Sequence, residues 1–211
     1  MTNFKKLIPA VALVAALSPF AANAALNPYG DAMFATRVLP DANVRSQTYY
    51  VARTNARCWH CGGLTHLFAL AMPRNHETLD VDLQFDADAY SASDDCDKPK
   101  PNAWQRTNAN AFIFYVEYLP GAVKDRLSRL SQAFHPGYSA ATMNTYWANH
   151  CEHCAKLLGD HELHCEPDGA FMPSSEALAT NIQLLQILEP FEAVAAGYAL
   201  EPEFFVFMRK S

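Results

Sequence analysis

The chain has 211 residues, half of them apolar, and a formal net charge of −6 at pH 7. The acidic balance disfavours nucleic acid and anionic membrane surfaces as partners, and the apolar content is typical of a folded chain rather than a disordered one. This length is enough for one compact domain with a sizeable core, or for two small ones.

The N-terminus has the layout of a secretory signal peptide. Two lysines precede an apolar run from Leu7 to Leu17, and small residues follow up to Ala24. The run is too short to cross a bilayer as a helix, and no comparable run follows it. We therefore predict a signal peptide over residues 1–24, a single mature domain over residues 25–211, a periplasmic or secreted location and no membrane span.

Two hairpins with cysteine pairs at their tips are predicted. TYYVAR at 48–53 and LTHLFALAM at 64–72 have the composition of strands, and CWHCGG lies between them. Gly62 can take a positive φ, which would let this turn close around the sulfurs. The second hairpin is predicted around CEHC, where TYWANH precedes the pair and LGDHELHC follows it as a returning strand.

The chain between the pairs predicts strands and a loop. LDVDLQFDAD at 79–88 alternates apolar and polar residues like a half-buried strand, and its acidic face is either solvated or, less simply, a calcium site. Residues 91–110 predict a polar loop. AFIFYVEYLP at 111–120 predicts a buried strand.

Helical spacing appears twice. Before HPG at 135–137, the apolar residues at helical spacing are Val123, Leu127, Leu130 and Phe134. Near the C-terminus, Ser174 can cap a helix with Leu178, Ile182 and Leu185 on one face, although IQLLQIL also fits a buried strand. FEAVAAGYAL and EFFVFM predict further strands. The predicted fold class is α+β, mainly antiparallel β, with two knuckle hairpins forming a zinc-ribbon-like site and one or two packed helices.

The two cysteine pairs carry the most specific chemistry. A Cys-x-x-Cys unit can place both of its thiolates on one tetrahedral zinc, and two units complete a closed structural site. The predicted ligands of this zinc cofactor are Cys58, Cys61, Cys151 and Cys154. The glycines after the first pair are a poor helix opening, which disfavours a thioredoxin-like motif. Neither pair is followed by histidine, which disfavours haem attachment.

Export leaves other readings of the cysteines open. An oxidising compartment can convert thiolates to disulfides before metal binds. Disulfides within or between the pairs, thiol–disulfide exchange by Cys58 and Cys61, and metal buffering are therefore alternatives. Cys96 and Cys165 fit a separate disulfide or two free thiols.

Histidines and aromatic residues flank both pairs. We interpret the histidines as surface or hairpin residues, with accessory or transient metal binding near Asp160 and Glu162 as the alternative; they are His60, His66, His150, His153, His161 and His164. The aromatics fit packing around a small core or, alternatively, a ligand-binding surface; they are Tyr49, Tyr50, Trp59, Tyr146 and Trp147.

The stretches RCWHCGG and YWANHCEHCAKLLGDHELHCEPDGAFMP resemble a group of uncharacterised bacterial proteins. That group pairs a Cys-Trp-x-Cys-Gly knuckle with a Trp-Ala-Asn-x-Cys-x-x-Cys knuckle, and the resemblance covers roughly residues 48–173. It implies a zinc-ribbon-like assembly with halves near 48–72 and 145–165 and the four cysteines as ligands, and it implies no known activity. Ala155 departs from the glycine expected after the second pair.

Taken together, the residues predict an exported binding or interaction protein rather than an enzyme. Its zinc would be structural, and its partner would be a protein or a small molecule, with no nucleic acid. The alternatives are a periplasmic thiol–disulfide oxidoreductase and a metal-buffering protein.

Overall fold

A computed structural model of the protein describes residues 42–79, 104–200 and 202–211. The predicted signal peptide, most of the predicted acidic strand at 79–88, and Cys96 lie outside the described residues. Leu79 lies within them and ends a short strand.

In the part of the chain that the structure describes, twelve strands form one continuous sheet. In chain order they are β1 (Val44–Ser46), β2 (Tyr49–Arg57), β3 (Leu64–Met72), β4 (His76–Leu79), β5 (Trp104–Thr107), β6 (Ala111–Tyr118), β7 (Phe134–Ser139), β8 (Asn144–His150), β9 (Leu157–Leu158), β10 (Gln183–Ile187), β11 (Phe191–Leu200) and β12 (Arg209–Lys210). The helices of the described residues are α1 (Gly121–Leu130), α2 (Asp160–His164) and α3 (Glu176–Ala179), with a 3-10 turn at Phe205–Phe207.

The main path of the sheet runs β12-β10-β2-β3-β6-β11-β1-β4-β5, and β8 branches from β6 with β7 and β9 on its two sides. Between these twelve described strands, every pairing is antiparallel except that of β10 with β12. β6 pairs with β3 through Ala111–Ile113 and with β8 only at Val116, so it changes partner near Tyr115. The second cysteine hairpin, β8–β9, thus joins the sheet through a side branch.

Both faces of the central sheet are buried, because strand residues alternate between two cores. On β3, Phe68, Leu70 and Met72 pack into one core, whereas Leu67 and Ala69 pack into the other. The second core also contains Cys58 and Cys151. The cysteine centre is therefore an extension of a hydrophobic core rather than a separate small module.

The predicted fold class is wrong. The structure is mostly β, a large curled sheet with short helices, whereas α+β with a zinc-ribbon-like site was expected. β2 and β3 are each nine residues long and belong to the middle of the sheet, so they do not form an independent ribbon. The local pattern around the cysteines identified the first hairpin and the entering strand of the second, but it carried no information about the strands that flank them.

Several predicted elements also differ in type or length. The first helix ends at Leu130, and Phe134 belongs to β7 instead of the helical stripe. The expected strand in LGDHELHC is helix α2, preceded by the two-residue β9. LGDHELHC is short and mostly polar, so its periodicity does not distinguish strand from helix, and the boundary of an element such as α1 is the least reliable part of a sequence prediction.

The C-terminal ambiguity resolves in favour of a strand. Ser175, not Ser174, accepts a hydrogen bond from the Leu178 N–H and caps a single helical turn, and IQLLQIL then forms β10. The polar segment 91–110 contains β5, and EFFVFM contains the 3-10 turn rather than a strand. Among the described residues, no helix is long and apolar enough to cross a bilayer.

Candidate metal centre and the adjoining cavity

Residues 58–63, the first turn, and residues 151–156, the second turn, have the same backbone hydrogen bonds. The Cys58 N–H donates to the Gly63 carbonyl, and the Gly62 N–H donates to the Cys58 carbonyl, both at 2.9 Å. In the second turn, the Cys151 N–H donates to the Lys156 carbonyl at 2.9 Å, and the Ala155 N–H donates to the Cys151 carbonyl at 2.8 Å. Two segments far apart in the chain thus form one local structure.

The fourth residue after the first cysteine closes each turn with a positive φ. Gly62 has a φ of 71°, which confirms the sequence prediction for this glycine. Ala155 has a φ of 56° at the equivalent position. A side chain in this left-handed region is strained, so the second turn carries a conformational cost that the first does not.

The two turns bring all four predicted sulfurs together. The ligand atoms of Cys58, Cys61, Cys151 and Cys154 lie within 4.8 Å of one another. Two short separations cross between the turns: Cys58 Sγ lies 3.7 Å from Cys154 Sγ, and Cys61 Sγ lies 3.6 Å from Cys151 Sγ. A tetrahedral zinc with Zn–S bonds of ~2.3 Å requires sulfurs ~3.8 Å apart. The donor set therefore fits one tetrahedral metal ion shared by both turns.

Backbone donors surround the sulfurs. The His60 N–H donates to Cys58 Sγ and the His153 N–H donates to Cys151 Sγ, each at 3.4 Å. The Cys61 N–H is the strongest influence that lowers the pKa of Cys58, which falls to about 6. At Cys154, a hydrogen bond from the Lys156 N–H lowers the pKa of the thiol. Burial and the neighbouring thiols outweigh this bond and raise that pKa to about 12. Backbone N–H groups thus favour the thiolate form of Cys58.

Reciprocal side-chain contacts link the two turns. Trp59 Nε1 donates to the Leu157 carbonyl at 3.2 Å, and His153 Nε2 lies 2.7 Å from the Leu64 carbonyl. Leu64 and Leu157 are each the sixth residue after the first cysteine of their own turn. Each turn therefore uses a central side chain to contact the same carbonyl position of the other.

Further bonds fix the second turn on β3. The Glu152 N–H donates to Thr65 Oγ1 at 3.1 Å, and the Glu152 carboxylate contacts His66 Nδ1 at 2.9 Å. The hydrogen-bonded His66 side chain is the main cause that lowers the pKa of Glu152. These bonds position the sulfurs through protein contacts alone.

Asn149 connects β8 to the middle of the sheet. Its Oδ1 accepts from the Phe68 N–H and its Nδ2 donates to the Phe68 carbonyl, both at 2.8 Å. The residue is 1% exposed. β8 and β3 have no backbone ladder between the residues described. The Asn149 side chain takes its place, because it bonds both the N–H and the carbonyl of Phe68.

Gly63 has a different role from Gly62. A Cβ on Gly63 would lie 2.5 Å from Cδ2 of His153, whereas a Cβ on Gly62 would meet nothing within 4 Å. Gly62 is thus required for its backbone angle, and Gly63 for the close approach of the second turn.

The histidines take structural positions. His66 pairs with Glu152, His161 lies 3.1 Å from Glu166, and His164 stacks between Phe114 and Phe171. In the described part of the chain, the group able to hold a metal comprises the four cysteines without a histidine. Cys165 is an exposed free thiol.

A cavity of about 560 Å³ adjoins the metal centre. Trp59 and Leu157, from the two turns, line this cavity together with Tyr115, Tyr146 and Asp160. Asp160 Oδ2 accepts from the Tyr115 N–H at 2.6 Å. Burial raises the pKa of Asp160 to about 7.

Sequence reasoning missed Asn149 and the group around Asp160. The sequence alone places Asp160 near a possible transient metal site of the histidines, and it gives a ligand-binding surface only as the alternative for aromatics such as Tyr146; neither interpretation identifies a buried carboxylate beside a cavity. A single carboxylate in LGDHELHC becomes informative only when the fold buries it beside a cavity. Comparison of the chain with protein-family models, with curated proteins and with solved structures found no match.

Proposed function

We propose that the four cysteines hold one structural Zn²⁺ ion in an exported binding protein. The observation that carries this proposal is the sulfur arrangement, because the 3.6 and 3.7 Å separations between turns are close to the edge of a four-thiolate zinc tetrahedron. Bound zinc would join two turns that belong to different parts of the sheet. Four thiolates fill its coordination sphere, so the metal would have no position for a reacting water.

The backbone donors support thiolate ligands. Four thiolates on one divalent cation carry a net negative charge. N–H groups directed at the sulfurs reduce the free-energy cost of holding this charge in the protein. The N–H donors of His60 and His153 are equivalent in the two turns. Zinc would supply the cation that allows all four sulfurs to lose their protons together.

The decisive experiment measures metal content and free thiols on one sample of the full chain, purified after export without reducing agent. We expect about one zinc per chain and no disulfide among the four cysteines. Metal-free protein with these four sulfurs oxidised would contradict the proposal. More than one rapidly exchanging metal per chain would instead support metal buffering.

Export itself is tested on the same sample by the mass of the mature chain. We propose cleavage after Ala24, so the mature N-terminus is Ala25. A mass that includes residues 1–24 after purification from the periplasm or the medium would contradict this cleavage.

Thiol–disulfide exchange is the second candidate, and the lowered pKa of Cys58 favours it. Cys58 is only 2% exposed, however, while Cys61 is the exposed member of its pair. A substrate disulfide would thus have to reach the buried sulfur. Equal disulfide-reduction rates for the wild type and Cys58→Ser would exclude this activity.

A further inference from the structure

The cavity beside the metal centre has the size and walls of a small-molecule site. Its volume of about 560 Å³ lies in the range of ligand pockets, which are mostly apolar with a few fixed polar groups. The aromatic walls come from Trp59, Tyr115 and Tyr146. The Tyr115 and Tyr146 rings meet edge to face, with their centroids 5.1 Å apart.

Asp160 places a carboxylate in this apolar setting. The residue is 3% exposed and lines the cavity. Its Oδ2 accepts the Tyr115 N–H, while no described residue donates to Oδ1. A buried carboxylate with one unused oxygen is costly unless a donor or a cation compensates it.

The backbone around Asp160 is also strained. Tyr115 has a φ of 51°, at the place where β6 changes partner from β3 to β8. This conformation directs the Tyr115 N–H to Asp160 and places its ring on the cavity wall. Strain held at a buried carboxylate beside a cavity is a feature of binding sites.

The charges at the cavity favour a cation. Glu162 adds a second acid to the lining. Two basic side chains also line the cavity, and each has a partner elsewhere: Arg57 Nη1 donates to the Gly62 carbonyl at 3.1 Å, and His161 Nε2 lies 3.1 Å from Glu166 Oε1. Aromatic faces also attract organic cations.

We propose that this cavity binds a small organic ammonium ion with an apolar body, and that Asp160 is its counter-ion. The ammonium group would donate to Oδ1, and the apolar body would pack on the aromatic walls. This inference goes beyond the proposed zinc centre and rests on it only where the zinc fixes the turns that carry Trp59 and Leu157.

The test uses the zinc-containing full chain and three probes of one shape: phenethylammonium, 2-phenylethanol and 3-phenylpropanoate. By calorimetry at pH 7.5 we expect phenethylammonium to bind at least tenfold more tightly than 2-phenylethanol, with the weakest binding for the anion. Asp160→Asn keeps an oxygen for the Tyr115 N–H and should abolish the preference for the cation. Asp125→Asn, an equal charge change at an exposed position of α1, should leave this preference unchanged.

Ala141→Trp gives a second test, because it fills the cavity from an exposed lining position. It should remove phenethylammonium binding while zinc content stays at the wild-type value. Equal affinities for the amine and the alcohol, no binding of the amine at millimolar concentration, or a preference that survives Asp160→Asn would each overturn the proposal. Exported protein that carries no zinc and has the four sulfurs oxidised, yet still prefers the amine, would overturn the zinc centre and leave the cavity proposal standing.

Discussion

The two cysteine turns have the same hydrogen bonds but different support from the sheet. The first turn joins β2 and β3, which pair over eight consecutive positions in the centre of the sheet. The second joins β8 to the two-residue β9; β8 pairs with β7 over six positions, but it meets β6, its link to the main path of the sheet, at a single pair. Backbone pairing holds the first turn in place. The second turn depends more on side-chain contacts and, in our proposal, on the metal to hold its position.

The largest expected effect is loss of the metal. Removing zinc with a chelator, or replacing a buried ligand by Cys151→Ser, should lower the free energy of unfolding by about 4 kcal/mol or more, as for a ligand present far above its dissociation constant. The measurement is urea unfolding together with zinc content. Cys165→Ser is the matched control, because this exposed thiol lies outside the centre, and it should change stability by less than about 0.5 kcal/mol.

Hydrogen exchange on the zinc-free protein shows where this loss falls. We expect faster exchange in residues 151–158 and continued protection in β2 and β3, because stability is lost first where few ladder bonds hold the backbone. Equal deprotection of both turns would contradict the comparison between them.

The second effect concerns the anchor of β8. Asn149→Ala removes the partners of the buried Phe68 N–H and carbonyl, and should cost about 3 kcal/mol in urea unfolding. Asn144→Ala, on the same strand, removes a part-buried bond to Glu117 and should cost about 1 kcal/mol or less. Equal losses would show that Asn149 is not a special anchor.

The third effect is a dependence of stability on pH. It comes from groups in α2, the helix after the second turn, and the first turn is followed by strand β3 instead. The folded-state pKa of Asp160 is raised to about 7, so the folded chain holds a proton that the unfolded chain has released. Stability from this group is therefore lost as pH rises from about 4 through 7. Asp160→Asn should remove this loss and gain about 2 kcal/mol at pH 8, measured by urea unfolding.

His164 gives the opposite slope. Burial lowers its pKa to about 3, so its contribution to stability falls as pH decreases below about 6.5. In Asp160→Asn the His164 slope is no longer opposed, and stability should decrease more steeply between pH 6.5 and 5 than in the wild type. Parallel pH profiles for the two proteins would contradict these assignments.

The smallest effect compares the left-handed positions directly. Gly62→Ala introduces strain at a φ of 71° and should cost about 1 kcal/mol. Ala155→Gly relieves the same strain but gives the unfolded chain more freedom, so it should stabilise by only a few tenths of a kcal/mol. Thermal unfolding of zinc-loaded proteins measures both, and a loss in both variants would show that Ala155 packs productively.

The sequence allowed the prediction of the local parts of the centre. Strand composition on either side of CWHCGG gave the first hairpin, and Gly62 gave its left-handed residue, because both depend on neighbours in the chain. The convergence of Cys61 with Cys151 followed from the shared spacing of the pairs. Whether these residues bind zinc stays a prediction.

What could not be predicted depends on the sheet. The fold class was wrong because β2 and β3 are central strands of a twelve-stranded sheet, and no pattern within 48–72 reveals their outer neighbours. In the sequence, Asn149 does not differ from other polar strand residues. Its anchoring role depends on the hydrogen bonds to the Phe68 backbone, which lies 81 residues away in the chain. Asp160 is buried by elements that lie far from it in sequence, and its role as a counter-ion is therefore visible only in three dimensions.

The 90-residue separation between Cys61 and Cys151 has a kinetic consequence. Closing a loop of that length costs more entropy than closing a short finger, so we expect zinc capture by all four cysteines to follow the formation of the sheet rather than to nucleate it. The two cysteines of one turn, only three residues apart, meet long before the turns meet each other. If the chain is exported unfolded, oxidation within a turn therefore competes with metal capture until the sheet has formed, and the folding rate of the sheet sets the yield of the zinc form.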